Sequence, residues 1–200
     1  MSSLTELNRQ IEICTRCDLS RFRNKVVPGE GAEDAAIMFI GEAPGYHEDQ
    51  QGRPFVGPAG QFLDRLLASI ELDRQKVFIA NVVKCRPTNN RDPLPTEMQN
   101  CRHWLDQQIE IIKPKMIVTL GRYSMARYFP GKTISKIHGT ALKKDGIIYF
   151  AMYHPAAALH QQSLRQAIEA DMLKIPALLA EAAVVDEAKP EPQQLNMFEV

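Results

Sequence analysis

Four short, predominantly apolar runs constrain this chain more than any other feature: Ala35–Ile40, Val77–Val83 with Asn81 inside it, Met116–Leu120 with Thr119 inside it, and Ile147–Tyr153. Runs this short, without polar alternation, suit strands buried on both faces, and such strands occur in parallel sheets covered by helices. Amphipathic stretches separate them. Leu4–Ile13 has apolar residues at 4, 7, 11 and 13, and Gly57-Pro-Ala-Gly60 opens a stretch with Phe62, Leu63, Leu66, Leu67 and Ile70 on one helical face. Pro95 to Ile112 reads as a long helix capped at Thr96 and stopped by Lys113-Pro114, and Gln161 to Ala182 as a final one. The alternation predicts an α/β fold, a three-layer α/β/α sandwich around a four-stranded, mostly parallel sheet. Ligands of such sheets gather at the carboxyl ends of the strands. That rule predicts one functional rim built from Gly41–Gly45, the segment after Asn81, and His154-Pro155.

The chain has 200 residues, 44% of them hydrophobic, enough for a single core. Residues 1–182 read as one domain, and 183–200 as a flexible acidic linker with a short apolar end. The 24 Lys+Arg balance the 24 Asp+Glu, so bulk charge excludes a strongly basic nucleic-acid binder. Residues 183–200 carry a net charge of −3, which leaves a mildly basic body of +3. No stretch approaches the ~18 apolar residues of a membrane span, and the N-terminus has no targeting pattern. A soluble, cytoplasmic monomer is the expectation.

Four cysteines in an intracellular chain are poor candidates for a disulfide framework, because the cytosol keeps thiols reduced. Cys14 and Cys17 form a chelating pair, Cys85 follows the second strand, and Cys101 lies in the third helix. Four thiolates with no added histidine suit a structural zinc or an iron–sulfur cluster and leave no open catalytic position. Their residue types leave both metals open.

Three blocks then carry a resemblance. Gly41-Glu-Ala-Pro-Gly45 with Glu48-Asp49, Gly52-Arg-Pro-Phe-Val-Gly57 and Ala59-Gly60 resembles the first motif of the family 4, iron–sulfur type uracil-DNA glycosylases. Asn81-Val-Val-Lys-Cys-Arg-Pro87 with Asn90-Arg-Asp-Pro-Leu-Pro95 is similar to that family's second block, and Tyr153-His-Pro-Ala-Ala-Ala-Leu159 to its last. The resemblance spans residues 1–180. It implies the uracil-DNA glycosylase superfamily fold and a [4Fe–4S] cluster on Cys14, Cys17, Cys85 and Cys101. It also implies excision of uracil from single- or double-stranded DNA, the first step of base excision repair. Only 15 residues separate Cys85 from Cys101, without the basic, histidine-bearing insertion of the covalent uracil-trapping relatives, so the hydrolytic enzymes are the nearer match.

Base removal requires extruding the nucleotide, holding the base, and stabilising its departing anion. Phe55, flanked by Pro54 and Gly57 on what reads as an exposed loop, is expected to stack on the base. Asn81 can accept from uracil N3–H and donate to O4, a pairing that cytosine cannot satisfy. His154 is expected to donate a ring N–H to uracil O2, for which a neutral imidazole suffices. Glu42 is the candidate to orient or activate water, or to act by its charge. Glu48 resembles the position that crowds the uracil C5 edge and excludes thymine. Backbone N–H groups of Ala43 and Gly45 are expected to meet the uracil carbonyls. Lys84, Arg86, Arg91, Lys132 and Lys136 are candidate phosphate contacts, with Leu159 a wedge into the vacated stack. Finally, Gln194-Leu-Asn-Met-Phe198 resembles the bacterial sliding-clamp-binding pentapeptide, with Leu195, Met197 and Phe198 as anchors and Gln194 as a polar contact.

Overall fold

The computed structural model describes residues 3–187. The chain order is α1 (Leu4–Glu12), β1 (Glu30–Gly31), β2 (Ile37–Gly41), α2 (Tyr46–Gln51), α3 (Pro58–Ala68), β3 (Phe78–Asn81) and α4 (Pro95–Ile112). It continues with β4 (Met116–Leu120), α5 (Arg122–Ala126), α6 (Ile134–Ile137), β5 (Ala141–Lys144), β6 (Ile147–Met152), α7 (Gln162–Met172) and α8 (Ile175–Glu187). The sheet has six strands in the order β1-β3-β2-β4-β6-β5. Its inner four, β3-β2-β4-β6, are parallel and are the four apolar runs. The expected four-stranded sheet is therefore extended at each edge by an antiparallel strand, β1 against β3 and β5 against β6.

The inner strands are buried on both faces, and alternate side chains feed two cores. Ile37 and Phe39 of β2 pack with Phe62, Leu63, Leu66 and Leu67 of α3 and with Ile168 and Met172 of α7. Met38 and Ile40 pack on the opposite face with Leu4, Leu7 and Ile11 of α1 and with Trp104 and Leu105 of α4. This is the three-layer sandwich, and period-two alternation produces both cores from the same strands.

Two helix boundaries differ from the sequence expectation. Leu94, not Thr96, precedes α4 as its cap residue, and the Glu97 carboxylate accepts from Leu94 N–H at 2.7 Å. The single final helix is two, broken at Leu173–Lys174. Pro176 lacks an N–H, and its ring would clash with the Met172 carbonyl in a continuous helix. The helix α8 runs to Glu187, five residues past the expected domain end at 182. The Gln194–Phe198 pentapeptide and most of the linker lie outside the described residues.

Register fixes the rim. Gly41 pairs with Asn81, and Leu120 with Met152, so the inner strands end in one row. Val82 N–H donates to Gly41 O at 3.1 Å and Gly121 N–H to Met152 O at 2.8 Å, which carries the alignment into the first loop residues.

Candidate active site

A cleft of about 400 Å³ opens on this rim, and its wall contains Glu42, Ala43, Gly45, Glu48, Phe55, Asn81 and His154. Segments up to 112 residues apart in sequence are thus gathered around one cavity by strand register.

Asn81 ends β3 and is 2% exposed. Its Oδ1 is buried and has no hydrogen-bond partner among the described residues. A buried polar atom left unpaired costs about 1–3 kcal/mol, so an orphan acceptor in a cleft wall is a site prepared for a donor.

His154 follows β6 and caps the 3₁₀ turn Pro155–Leu159; its Nδ1 accepts from Ala156 N–H at 3.2 Å. A neutral ring that accepts at Nδ1 carries its proton on Nε2, which selects the tautomer. Burial pulls the imidazole pKa down to about 4, against a smaller opposing effect of the Glu48 charge. The ring is neutral at physiological pH and still offers one N–H.

Phe55 stacks on His154 with centroids 5.5 Å apart and planes 28° apart. It is 5% exposed, so this residue of the expected exposed loop is in fact buried, although it still lines the cleft. Two features hold it there. Gly60 leaves room for the Phe55 carbonyl, where any Cβ would overlap it, and Gly41 leaves room for the ring, whose nearest carbon would lie 2.6 Å from an added Cβ. The backbone of Phe55 has φ 53°, a left-handed conformation that costs a residue with a side chain about 1–3 kcal/mol. Arg74 offsets that strain by donating to the carbonyls of Pro54 (2.8 Å) and Phe55, while Glu30 and Asp64 hold its guanidinium. The sequence reading missed Arg74, because nothing local marks an arginine that acts 19 or 20 residues away.

Glu42 follows β2 directly. Burial, with the Asp92 carboxylate next, pushes its pKa up to about 7, while Arg122 opposes the shift. Arg122 is itself bonded to Asp92 at 2.5 Å.

Glu48 is not a free loop carboxylate. Its Oε1 accepts from Val56 N–H (2.9 Å) and Gly57 N–H (3.0 Å), and its Oε2 from Gly45 N–H (3.1 Å). This corrects the expectation for Gly45, whose N–H is committed to Glu48 rather than to a ligand carbonyl. Ala43 remains in the wall.

The basic residues divide. Lys84 is 1% exposed, which excludes the expected phosphate contact; its Nζ donates to Asn81 O at 3.0 Å and to Gln108 Oε1 at 2.6 Å. Burial lowers its pKa to about 8. Arg91 lines the cleft but is paired in a fork with the Glu97 carboxylate at 2.9 and 2.6 Å. Arg86 donates to Asn90 Oδ1 at 2.7 Å. Lys132 and Lys136 flank or lie on α6 and are exposed, and Leu159, 44% exposed, ends the turn that begins after His154.

The four cysteines line one recess with Trp104, Arg23 and Lys84. Trp104 Nε1 donates to Cys14 Sγ (3.3 Å), Arg23 Nη1 to Cys85 Sγ (3.1 Å) and Lys84 N to Cys101 Sγ (3.3 Å). Among the described residues no group of three or more His, Cys, Asp or Glu is drawn together as the ligands of a single metal ion.

Comparison with known proteins is in keeping with this geometry. Residues 28–175 match the uracil DNA glycosylase superfamily. The chain is 48% identical over 185 residues to a type-4 uracil-DNA glycosylase of Sulfurisphaera tokodaii, covering 88% of this chain and 84% of that protein. It is 45% identical over 184 residues to the type-4 enzyme of Archaeoglobus fulgidus, covering 88% and 92%. To that of Thermotoga maritima it is 42% identical over 173 residues, covering 84% and 90%.

Proposed function

The chain belongs to the uracil-DNA glycosylase superfamily and to its type-4 members, and from that membership we propose how its cleft performs uracil excision. The reaction adds water across the C1′–N1 bond of an extruded deoxyuridine, giving free uracil and an abasic site. The observation that carries the mechanism is the orphan Oδ1 of Asn81 in the wall that also holds His154.

Uracil N3–H donates to Asn81 Oδ1, and Asn81 Nδ2 donates to O4. Cytosine presents an acceptor at N3 and a donor at C4, so both contacts fail and buried groups stay unpaired, at about 1–3 kcal/mol each. His154 Nε2–H donates to O2, where charge accumulates as the C1′–N1 bond breaks. A neutral donor pays no penalty for burial as a cation, and its bond strengthens as O2 becomes anionic. Phe55 supplies the aromatic wall, and the pinned Glu48 loop bounds the slot. The test is release of free uracil and alkali-labile sites from an oligonucleotide with one uracil. Absence of both from the intact protein would overturn this function.

Glu42 orients the water or supports the cationic sugar with its carboxylate. A carboxyl with a pKa of about 7 is mostly protonated below that pH, so kcat/KM should rise as pH rises through 7 and then level. Asp92→Asn removes the neighbouring negative charge and should move this limb to lower pH; a limb that stays in place refutes Glu42 as its origin. Because the fold raises this pKa from 4.5, it favours the protonated form. The contribution of this group to stability therefore declines as pH rises from about 4.5 toward 7.

A [4Fe–4S] cluster is the proposed occupant of the cysteine recess, supported by four thiols lining one recess and by the N–H bonds that three of the sulfurs accept. Such bonds stabilise thiolate charge. Bound there, the cluster would cross-link the end of α1, the Cys85 loop and α4, a structural role. Cys85→Ala should lose the visible iron–sulfur absorption and lower the melting temperature; a stable variant that keeps full activity without the absorption refutes that role. For the tail, Gln194–Phe198 remains a proposed sliding-clamp-binding peptide, supported by its residue pattern alone.

A further inference from the structure

Two side chains at the mouth of the cleft have no part in the steps above. Tyr46, the first residue of α2, is 54% exposed, and the Arg86 guanidinium lies 5.1 Å from its ring centroid. They reach each other from two segments that build the mouth: Tyr46 follows Gly45, Arg86 precedes Pro87, and Gly45, Pro87 and Asn90 all line the cleft. The bond from Arg86 Nε to Asn90 Oδ1 fixes the guanidinium on the same segment. An aromatic ring half in water adds little to the core, yet it offers an apolar face backed by a cation at the place where a polyanionic strand must pass. Extruding one nucleotide deprives its neighbour of a stacking partner, and an aromatic surface beside the mouth replaces that partner.

We propose that Tyr46 and Arg86 form a stacking subsite for the base adjacent to the extruded uridine on the same strand. This rests on the excision reading above. Stacking of this kind tolerates any base, because every base has a π face, and the guanidinium adds cation–π attraction. The contact exists before and after the bond breaks, so it acts on binding and therefore on KM more than on kcat.

The experiment pairs protein variants with altered DNA. Wild type, Tyr46→Ala, Tyr46→Phe and Arg86→Gln are assayed on a single-stranded oligonucleotide with one uracil. They are also assayed on two versions in which the base of the 5′ or the 3′ neighbour is replaced by an abasic tetrahydrofuran. Tyr46→Ala should raise KM on the intact strand by roughly fivefold to a hundredfold, and Tyr46→Phe should recover most of that loss. On one of the two tetrahydrofuran strands the difference between wild type and Tyr46→Ala should vanish, which a general loosening of the loop would not produce. Arg86→Gln should show the same dependence at smaller size. Equal effects on all three strands, or none on any, overturn the subsite. A wild-type protein that releases no uracil from the intact strand fails the excision reading instead, a distinct outcome.

Discussion

Asn81→Ala should lower kcat/KM for uracil excision by about a hundredfold or more while leaving the fold intact. The substitution removes an acceptor for N3–H and a donor for O4, and hydrogen bonds of this kind are each worth about 1–3 kcal/mol when a buried partner is left unpaired. Asn81 Oδ1 has no protein partner among the described residues, so its loss strands no group of the protein and relieves one orphan. Activity and stability should therefore separate: uracil release falls steeply, and the melting temperature holds or rises slightly. A drop in melting temperature that accounts for the lost activity would mean that Asn81 is a packing residue.

The second large effect is expected at Gly41, two residues before Ala43. An added methyl there would overlap Asn81 Oδ1 and come within 2.6 and 2.8 Å of Phe55 ring carbons. Neither neighbour can yield freely: Asn81 ends a paired strand, and Phe55 is held by Arg74 and by the close approach of Gly60. Gly41→Ala should destabilise by about 1–3 kcal/mol, as overpacking does, and should reduce kcat/KM at least tenfold, because both walls of the uracil slot shift together. Thermal melts and uracil release, measured side by side, test it; wild-type activity would show that the slot is softer than its packing implies.

These two residues also show what the sequence makes legible. The inner strands are readable because burial on both faces leaves predominantly apolar runs, and their ends locate Asn81 and His154 once parallel register is assumed. The edge strands are not readable in the same way. The first, β1, has only two residues, and β5, Ala141–Lys144, is exposed throughout, so neither carries a hydrophobic period; backbone pairing alone defines them. Within the site, residue types at strand ends are visible, whereas side-chain partners are not. Lys84 reads as a surface cation because lysine usually is one, and only the fold supplies the Asn81 carbonyl and Gln108 that receive it inside. Arg91 likewise reads as free for phosphate until Glu97, on the adjoining helix, claims it.

Glu48 holds three backbone donors on a stretch from Gly45 to Gly57, so one carboxylate turns a glycine-rich segment into a single stiff wall. A segment tied to one side chain at three points can shift only as a unit, so a base with an added substituent meets steric resistance instead of a loop that moves aside.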